Sequence, residues 1–116
     1  MKEFLMNLQI EDKGTAVLME VKEERLDAHN SGELKTQMLK LFEEGKDNLI
    51  VDLSSVRFVD SSGLGALVSG FKNASSRSGS LKLSGLQLQV KSMFELTRLH
   101  RVFEIYGDSA EALESF

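Results

Sequence analysis

Apolar and polar positions alternate through Phe4, Met6, Leu8 and Ile10, broken only by Leu5, and a second extended apolar run covers residues 16–21. Alternation with period two marks a strand with one buried face, and Asp12-Lys13-Gly14 between the runs is a turn signal, so the chain opens on a predicted β-hairpin. The period then changes. Leu34, Met38, Leu41 and Phe42 recur at helical spacing, Asn30 with Glu33 three positions on predicts a capping box at the start, and Gly45 predicts the stop. A buried strand is expected at residues 49–53. Beyond it Leu64, Leu67, Val68 and Phe71 have i, i+3, i+4, i+7 spacing and predict a helix from Ser61. A strand at 81–83, a helical stripe through Val90, Met93, Phe94 and Thr97, a strand at 102–106 and a short helix from Ser109 complete the pattern. Strands that alternate with helices call for parallel neighbours and right-handed crossovers. The expected architecture is α/β: a mixed sheet of about five strands, hairpin first, with about four helices.

The chemistry concentrates where the fourth of these runs meets the next helix, in Val59-Asp60-Ser61-Ser62-Gly63-Leu64-Gly65. Asp is a favoured N-cap, because its carboxylate accepts hydrogen bonds from free backbone N–H groups of the first turn. Asp60 is therefore the predicted cap of a helix that starts at Ser61. A hydroxyl there faces the positive end of the helix dipole, where a phosphate of about two negative charges is tolerated. Serines also follow an Asp cap for local hydrogen bonding alone. Gly63 and Gly65 change the weighing, since each costs roughly 1 kcal/mol of helix propensity against Ala, and close approach of another backbone or of a partner protein is the simplest need they could serve. Enzyme templates fail on the same run: it has neither the spacing of a nucleophile elbow nor a Gly-Lys-Ser/Thr phosphate loop. Val56, Phe58 and Val59 are expected to pin the preceding loop to the core, and Met38, Met93 and the phenylalanines to lie in it.

Composition narrows the field. A chain of 116 residues is expected to be one domain, 1–116, with a single core. It has no cysteine, hence no disulfide framework or thiolate metal site, and two isolated histidines do not make a coordination shell. No apolar run approaches the ~20 residues of a membrane span, so a cytoplasmic location without membrane attachment is expected. The 14 basic residues are scattered among 18 acidic ones for a net charge of -4, which argues against nucleic acid as a partner. His29 and His100 each stand alone and read as exposed side chains, and residues 20–25 read as a solvated turn. Asp52 could be the phospho-acceptor of a receiver domain, but the acidic pair and the lysine such a site needs are missing.

Leu49-Ile50-Val51-Asp52-Leu53, then Val56 to Phe58, then Asp60-Ser61-Ser62-Gly63-Leu64-Gly65 resemble the signature of the STAS domain, the fold of bacterial anti-sigma factor antagonists. Arg25-Leu26-Asp27-Ala28 resembles the family's loop ahead of its first helix, residues 99–106 its last strand and approach, and residues 108–113 its closing helix. Glu24 and Arg98 stand where glycine is usual, so contacts are not carried over at those two positions.

The resemblance implies a non-enzymatic binding module without a cofactor of its own. Its partner would be an anti-sigma factor that is also a serine kinase, held by the unphosphorylated antagonist and released by the phosphorylated one, with a serine phosphatase restoring binding. The family's modified residue is the first serine after the aspartate, here Ser61, with Ser62 as the alternative. Asp27, Asp60, Ser61, Ser62, Gly63, Leu64 and Gly65 are the expected partner-binding residues, on a monomer or weak dimer. The other reading is a STAS subunit that is never phosphorylated and serves as scaffold in a larger signalling or lipid-transport complex. An acyl-type enzyme resting on Ser61 or Ser62 has no placed base.

Overall fold

The computed structural model describes residues 6–116. Seven strands and four helices follow one another as β1 (Leu8–Asp12), β2 (Val17–Val21), β3 (Arg25–Leu26), α1 (Ser31–Glu43), β4 (Asn48–Asp52), β5 (Phe58–Val59), α2 (Ser61–Ser76), β6 (Ser80–Ser84), α3 (Leu88–Leu96), a 3₁₀ turn (Leu99–Arg101), β7 (Ile105–Tyr106) and α4 (Ser109–Glu114). The main sheet is mixed and five-stranded in the order β1-β2-β4-β6-β7. Its hairpin β1–β2 is antiparallel, and β2–β4, β4–β6 and β6–β7 are parallel. Each parallel neighbour is reached through a helix, as the alternation of periods requires.

Alternation along the strands divides the apolar residues between two cores. Val17, Met19, Val21, Leu49, Val51, Leu81 and Leu83 pack with Leu34, Met38 and Phe42 of α1, Leu64, Leu67 and Ala74 of α2 and Val90 and Phe94 of α3. Ala16, Leu18 and Ile50 form a smaller core with Ala112 of α4, flanked by Tyr106, Leu113 and Phe116. Lys82 is buried on that side, its Nζ donating to the Ser115 carbonyl and hydroxyl at 3.2 and 2.8 Å and lying 4.1 Å from the Phe116 ring centre.

Several expectations are corrected. Phe4 and Leu5 of the first alternation lie outside the described residues; within them Ile10 is exposed, as β1 is an edge strand with one free side. Asn30 stands at the α1 N-cap without capping through its side chain, because its amide is taken elsewhere: Oδ1 accepts from Asp27 N at 2.9 Å and Nδ2 donates to the Arg25 carbonyl at 2.8 Å. Residues 20–25 are not a turn throughout, since Glu20 and Val21 finish β2 and Arg25 opens β3. The last strand is only Ile105–Tyr106; the 3₁₀ turn takes the approach, and Phe103 is buried edge-on against Phe71 and Phe94 at 5.2 and 5.8 Å. Phe58 is exposed rather than in the core, whereas Val56 and Val59 are buried as expected.

Gly45 ends α1 as the sequence predicts. It lies at φ +80°, with Lys46 N donating to the Leu41 carbonyl and Gly45 N to the Phe42 carbonyl, both at 2.9 Å, which is a Schellman motif.

Candidate functional site

The chain leaves the carboxyl end of β4 and reaches α2 through residues 53–60. This is the side of a parallel sheet on which α/β folds carry their sites. The approach is not free loop. Arg25 and Leu26 pair in parallel with Phe58 and Val59 in a separate two-stranded sheet. Arg57 N and Phe58 N both donate to the Glu24 carbonyl, at 2.7 and 3.2 Å, and Asp60 N to the Leu26 carbonyl at 3.2 Å. The segment ahead of α1 and the segment ahead of α2 are thereby locked side by side.

Asp60 joins them through its side chain as well. One carboxylate oxygen accepts from Gly63 N at 2.9 Å, the N-cap bond of α2, and the other from Ala28 N at 3.3 Å. Its two acceptor oxygens thus hold the first turn of α2 against the 27–29 loop. That loop is braced in turn by Asp27, which accepts from His29 N at 3.0 Å and pairs with Arg25 Nε at 3.3 Å, while its own carbonyl accepts from Ser31 N at 2.8 Å. The His29 N–H, and beside it the Arg25 guanidinium, hold the Asp27 carboxyl below its ordinary value of 3.8 despite partial burial. The Arg25 guanidinium carbon also lies over the exposed Phe58 ring, 4.3 Å from its centre.

On this frame Ser61 and Ser62 are exposed, and neither hydroxyl is engaged in a hydrogen bond among the described residues. Gly65 is exposed too, and a Cβ built there meets nothing within 4 Å. Gly63 and Leu64 face inward. A Cβ on Gly63 would collide with the Leu26 carbonyl oxygen and lie 2.8 Å from Val59 Cγ1, and Leu64 belongs to the main core. The seven residues singled out from the sequence therefore come together in space but divide into an outer set, Ser61, Ser62 and Gly65, and a supporting set, Asp27, Asp60, Gly63 and Leu64.

Arg25, Ala28, Asn30 and Phe58 also belong to this frame, although none is among the expected partner-binding residues. Ala28 meets Asp60 and Arg25 meets Phe58 from distant segments, for which no local spacing exists, while Asn30 bonds within its own loop to Asp27 and Arg25. Asp52 is buried, with Oδ1 accepting from Ser54 Oγ at 2.6 Å and Oδ2 from Ser84 Oγ at 2.9 Å, so it is satisfied within the fold rather than presented as a phospho-acceptor. His29 and His100 are exposed. Among the described residues no group of three or more acidic or histidine side chains could hold a metal ion, and no helix is long and apolar enough to cross a membrane.

Comparison with known proteins agrees with this architecture. A family model described as the STAS domain matches residues 7–112. The chain is 33% identical over 84 residues to the anti-sigma-B factor antagonist of Bacillus subtilis, which covers 72% of this chain and 76% of that protein. Its fold superposes on an anti-sigma-factor antagonist (STAS) domain protein from Planctomyces limnophilus with a TM-score of 0.85 at 19% identity, over 93% and 96% of the two chains. It superposes on the Bacillus cell fate determinant SpoIIAA in its phosphorylated form with a TM-score of 0.75 at 18% identity, over 94% and 98%. With the family's pattern matched from β1 to α4, the chain belongs to the STAS domain family, among its anti-sigma factor antagonists, a regulatory rather than an enzymatic class.

Proposed function

We propose that the chain binds an anti-sigma factor through the Ser61 end of α2 and that phosphorylation of Ser61 by that factor, acting as a serine kinase, releases it. One observation carries the reading. Two exposed hydroxyls, without a hydrogen-bond partner among the described residues, stand on the first turn of a helix whose cap, Asp60, is itself fixed to a neighbouring loop. A kinase needs an accessible hydroxyl, and a partner needs a surface whose shape does not wander; the frame of Asp60 and the paired strands β3 and β5 supports both. The helix dipole and free N–H groups of the first turn offset part of the charge of an added phosphate. A solved relative of similar fold is described as phosphorylated, which is in keeping with such a switch. A serine phosphatase would restore binding, and ATP and metal would come with the kinase.

Incubation with the cognate anti-sigma factor and ATP, followed by phosphopeptide mapping, tests the site. Phosphate is expected on Ser61, or on Ser62 when Ser61 is replaced by Ala. Phosphate confined to Ser75, Ser76 or Ser78 at the far end of α2 would overturn the assignment.

A further inference from the structure

The helix α3 buries Val90 and Phe94 completely and turns its opposite face outward. That face carries Leu88 and Leu96, 78% and 83% exposed, the two most exposed large apolar side chains among the described residues. Eight residues at 1.5 Å each place them about 12 Å apart along the axis. Ser92, exposed and small, lies midway between them on the same strip. Single exposed leucines are ordinary; two on one strip with a gap between them form a surface complementary to its own inverted copy.

We propose that this face of α3 is a self-complementary interface on which a second copy of the chain docks, its α3 antiparallel to the first, about a twofold axis at Ser92. Inversion about that axis sets Leu88 against Leu96 of the second copy and Leu96 against Leu88, with the two serines leaving room for the helices to cross. The charges agree. Lys91 and Glu95 occupy one flank of the strip, and neither makes an ion pair among the described residues. The axis brings that flank against its own inverted copy, so each Lys91 faces Glu95 of the other chain. An anionic lipid surface fits less well, since Glu95 borders the strip and the whole chain carries a net charge of -4. A nine-residue helix offers less than the ~800 Å² per partner of a standard interface. The dimer is accordingly weak and reversible, and does not depend on the serine switch proposed above.

The chain has no cysteine, so Ser92→Cys introduces the only thiol. Helix axes 8–10 Å apart with Cα atoms at a radius of ~2.3 Å leave roughly 3.4–5.4 Å between the two on-axis Cα atoms, overlapping the range a disulfide spans. At ~100 µM protein with a mild oxidant, Ser92→Cys is expected to form a disulfide-linked dimer at least ~10-fold faster than Ser76→Cys, a control on exposed α2 surface, because only the former lies on the axis. Sedimentation equilibrium of the unmodified chain should show a mass that rises with concentration. Leu96→Lys should abolish the rise, Lys91→Glu should weaken it, and Lys91→Glu with Glu95→Lys should restore it. Equal cross-linking at positions 92 and 76, a mass that stays monomeric to ~1 mM, or a double charge reversal no better than the single one would each overturn the proposal. Binding to phosphatidylglycerol vesicles that Leu96→Lys abolishes, with the protein alone monomeric, would assign the face to a lipid surface and overturn it as well.

Discussion

Gly63 and Gly65 stand two residues apart in α2 and answer to different forces. A side chain at Gly63 has nowhere to go, because the Leu26 carbonyl and Val59 press on that position from the paired strands, so Gly63→Ala should cost about 1–3 kcal/mol through overpacking. Gly65 meets nothing, and Gly65→Ala should stabilise the helix by about 1 kcal/mol. Chemical denaturation of the two variants checks the pair. If Gly65 serves an incoming backbone, the more stable variant should also bind the anti-sigma factor less tightly. Asp27 offers a pH test of the same loop. Its folded value is lowered by the His29 N–H and the Arg25 guanidinium, so the ionised form adds stability that is complete above the ordinary value of 3.8 and is lost as pH falls through the lower, folded one. Thermal melts from about pH 6 down to about pH 2.5 should therefore show the unmodified chain above Asp27→Asn near neutrality and the gap closing only below about pH 4. A gap of constant size would show that the carboxylate charge is not its source.

Whole elements were legible where one short-range signal decided them. Residues 49–53 and the stripe from Leu64 to Phe71 gave β4 and α2 from periodicity, and Asp60 was readable as a cap because capping is a contact over three residues. Elements made by distant partners were not. Nothing local marks Arg25-Leu26 and Phe58-Val59 as strands, since each becomes one only against the other. The Asn30–Glu33 pattern misled for a related reason: the loop bends so that the Asn30 amide is used by Asp27 and Arg25 before it can cap. The ends of α2 and α3 show a further limit. Ser78 and Arg98 each follow a helix C-cap in the left-handed region, at φ 62° and 63°, where glycine is favoured. Arg98 is one of the two positions at which this chain departs from the family's usual glycine, and the backbone keeps the turn regardless. Left-handed geometry costs a residue with a Cβ about 1–2 kcal/mol. After the entropy that glycine loses on folding, Ser78→Gly and Arg98→Gly should each raise stability by about 0.5–1 kcal/mol, and together nearly additively, as separate sites do. Urea titration of the three variants checks both the sign and the sum.

At the scale of the molecule, the division into a rigid frame and an outer set of hydroxyls decides how a switch could operate. Ser61 is exposed beside a fixed cap, so a phosphate there needs no buried space, and the dipole of α2 favours it by about 0.3–1 kcal/mol while the Asp60 carboxylate opposes it. At this exposed position the effective dielectric approaches that of water and the opposition is about 1 kcal/mol or less, so the two nearly cancel. Ser61→Asp should therefore melt within a few degrees of the unmodified chain, a 1 kcal/mol change being worth roughly 3–6 °C at this length. Binding should respond far more. Two unit charges about 6 Å apart repel by roughly 3 kcal/mol at an effective dielectric near 20, and screening at an interface leaves roughly 1–3 kcal/mol. That corresponds to about 5- to 150-fold in affinity, reached without moving any element of the fold. Calorimetric titration against the anti-sigma factor should show Ser61→Asp weakened at least ~5-fold and Ser61→Ala close to the unmodified chain, as the same Coulomb arithmetic requires. A large drop in melting temperature for Ser61→Asp would mean that the charge acts by disrupting the domain. Equal affinities for the Asp and Ala variants, with the true phosphoprotein also binding normally, would remove the switch and leave a docking module that phosphorylation does not govern.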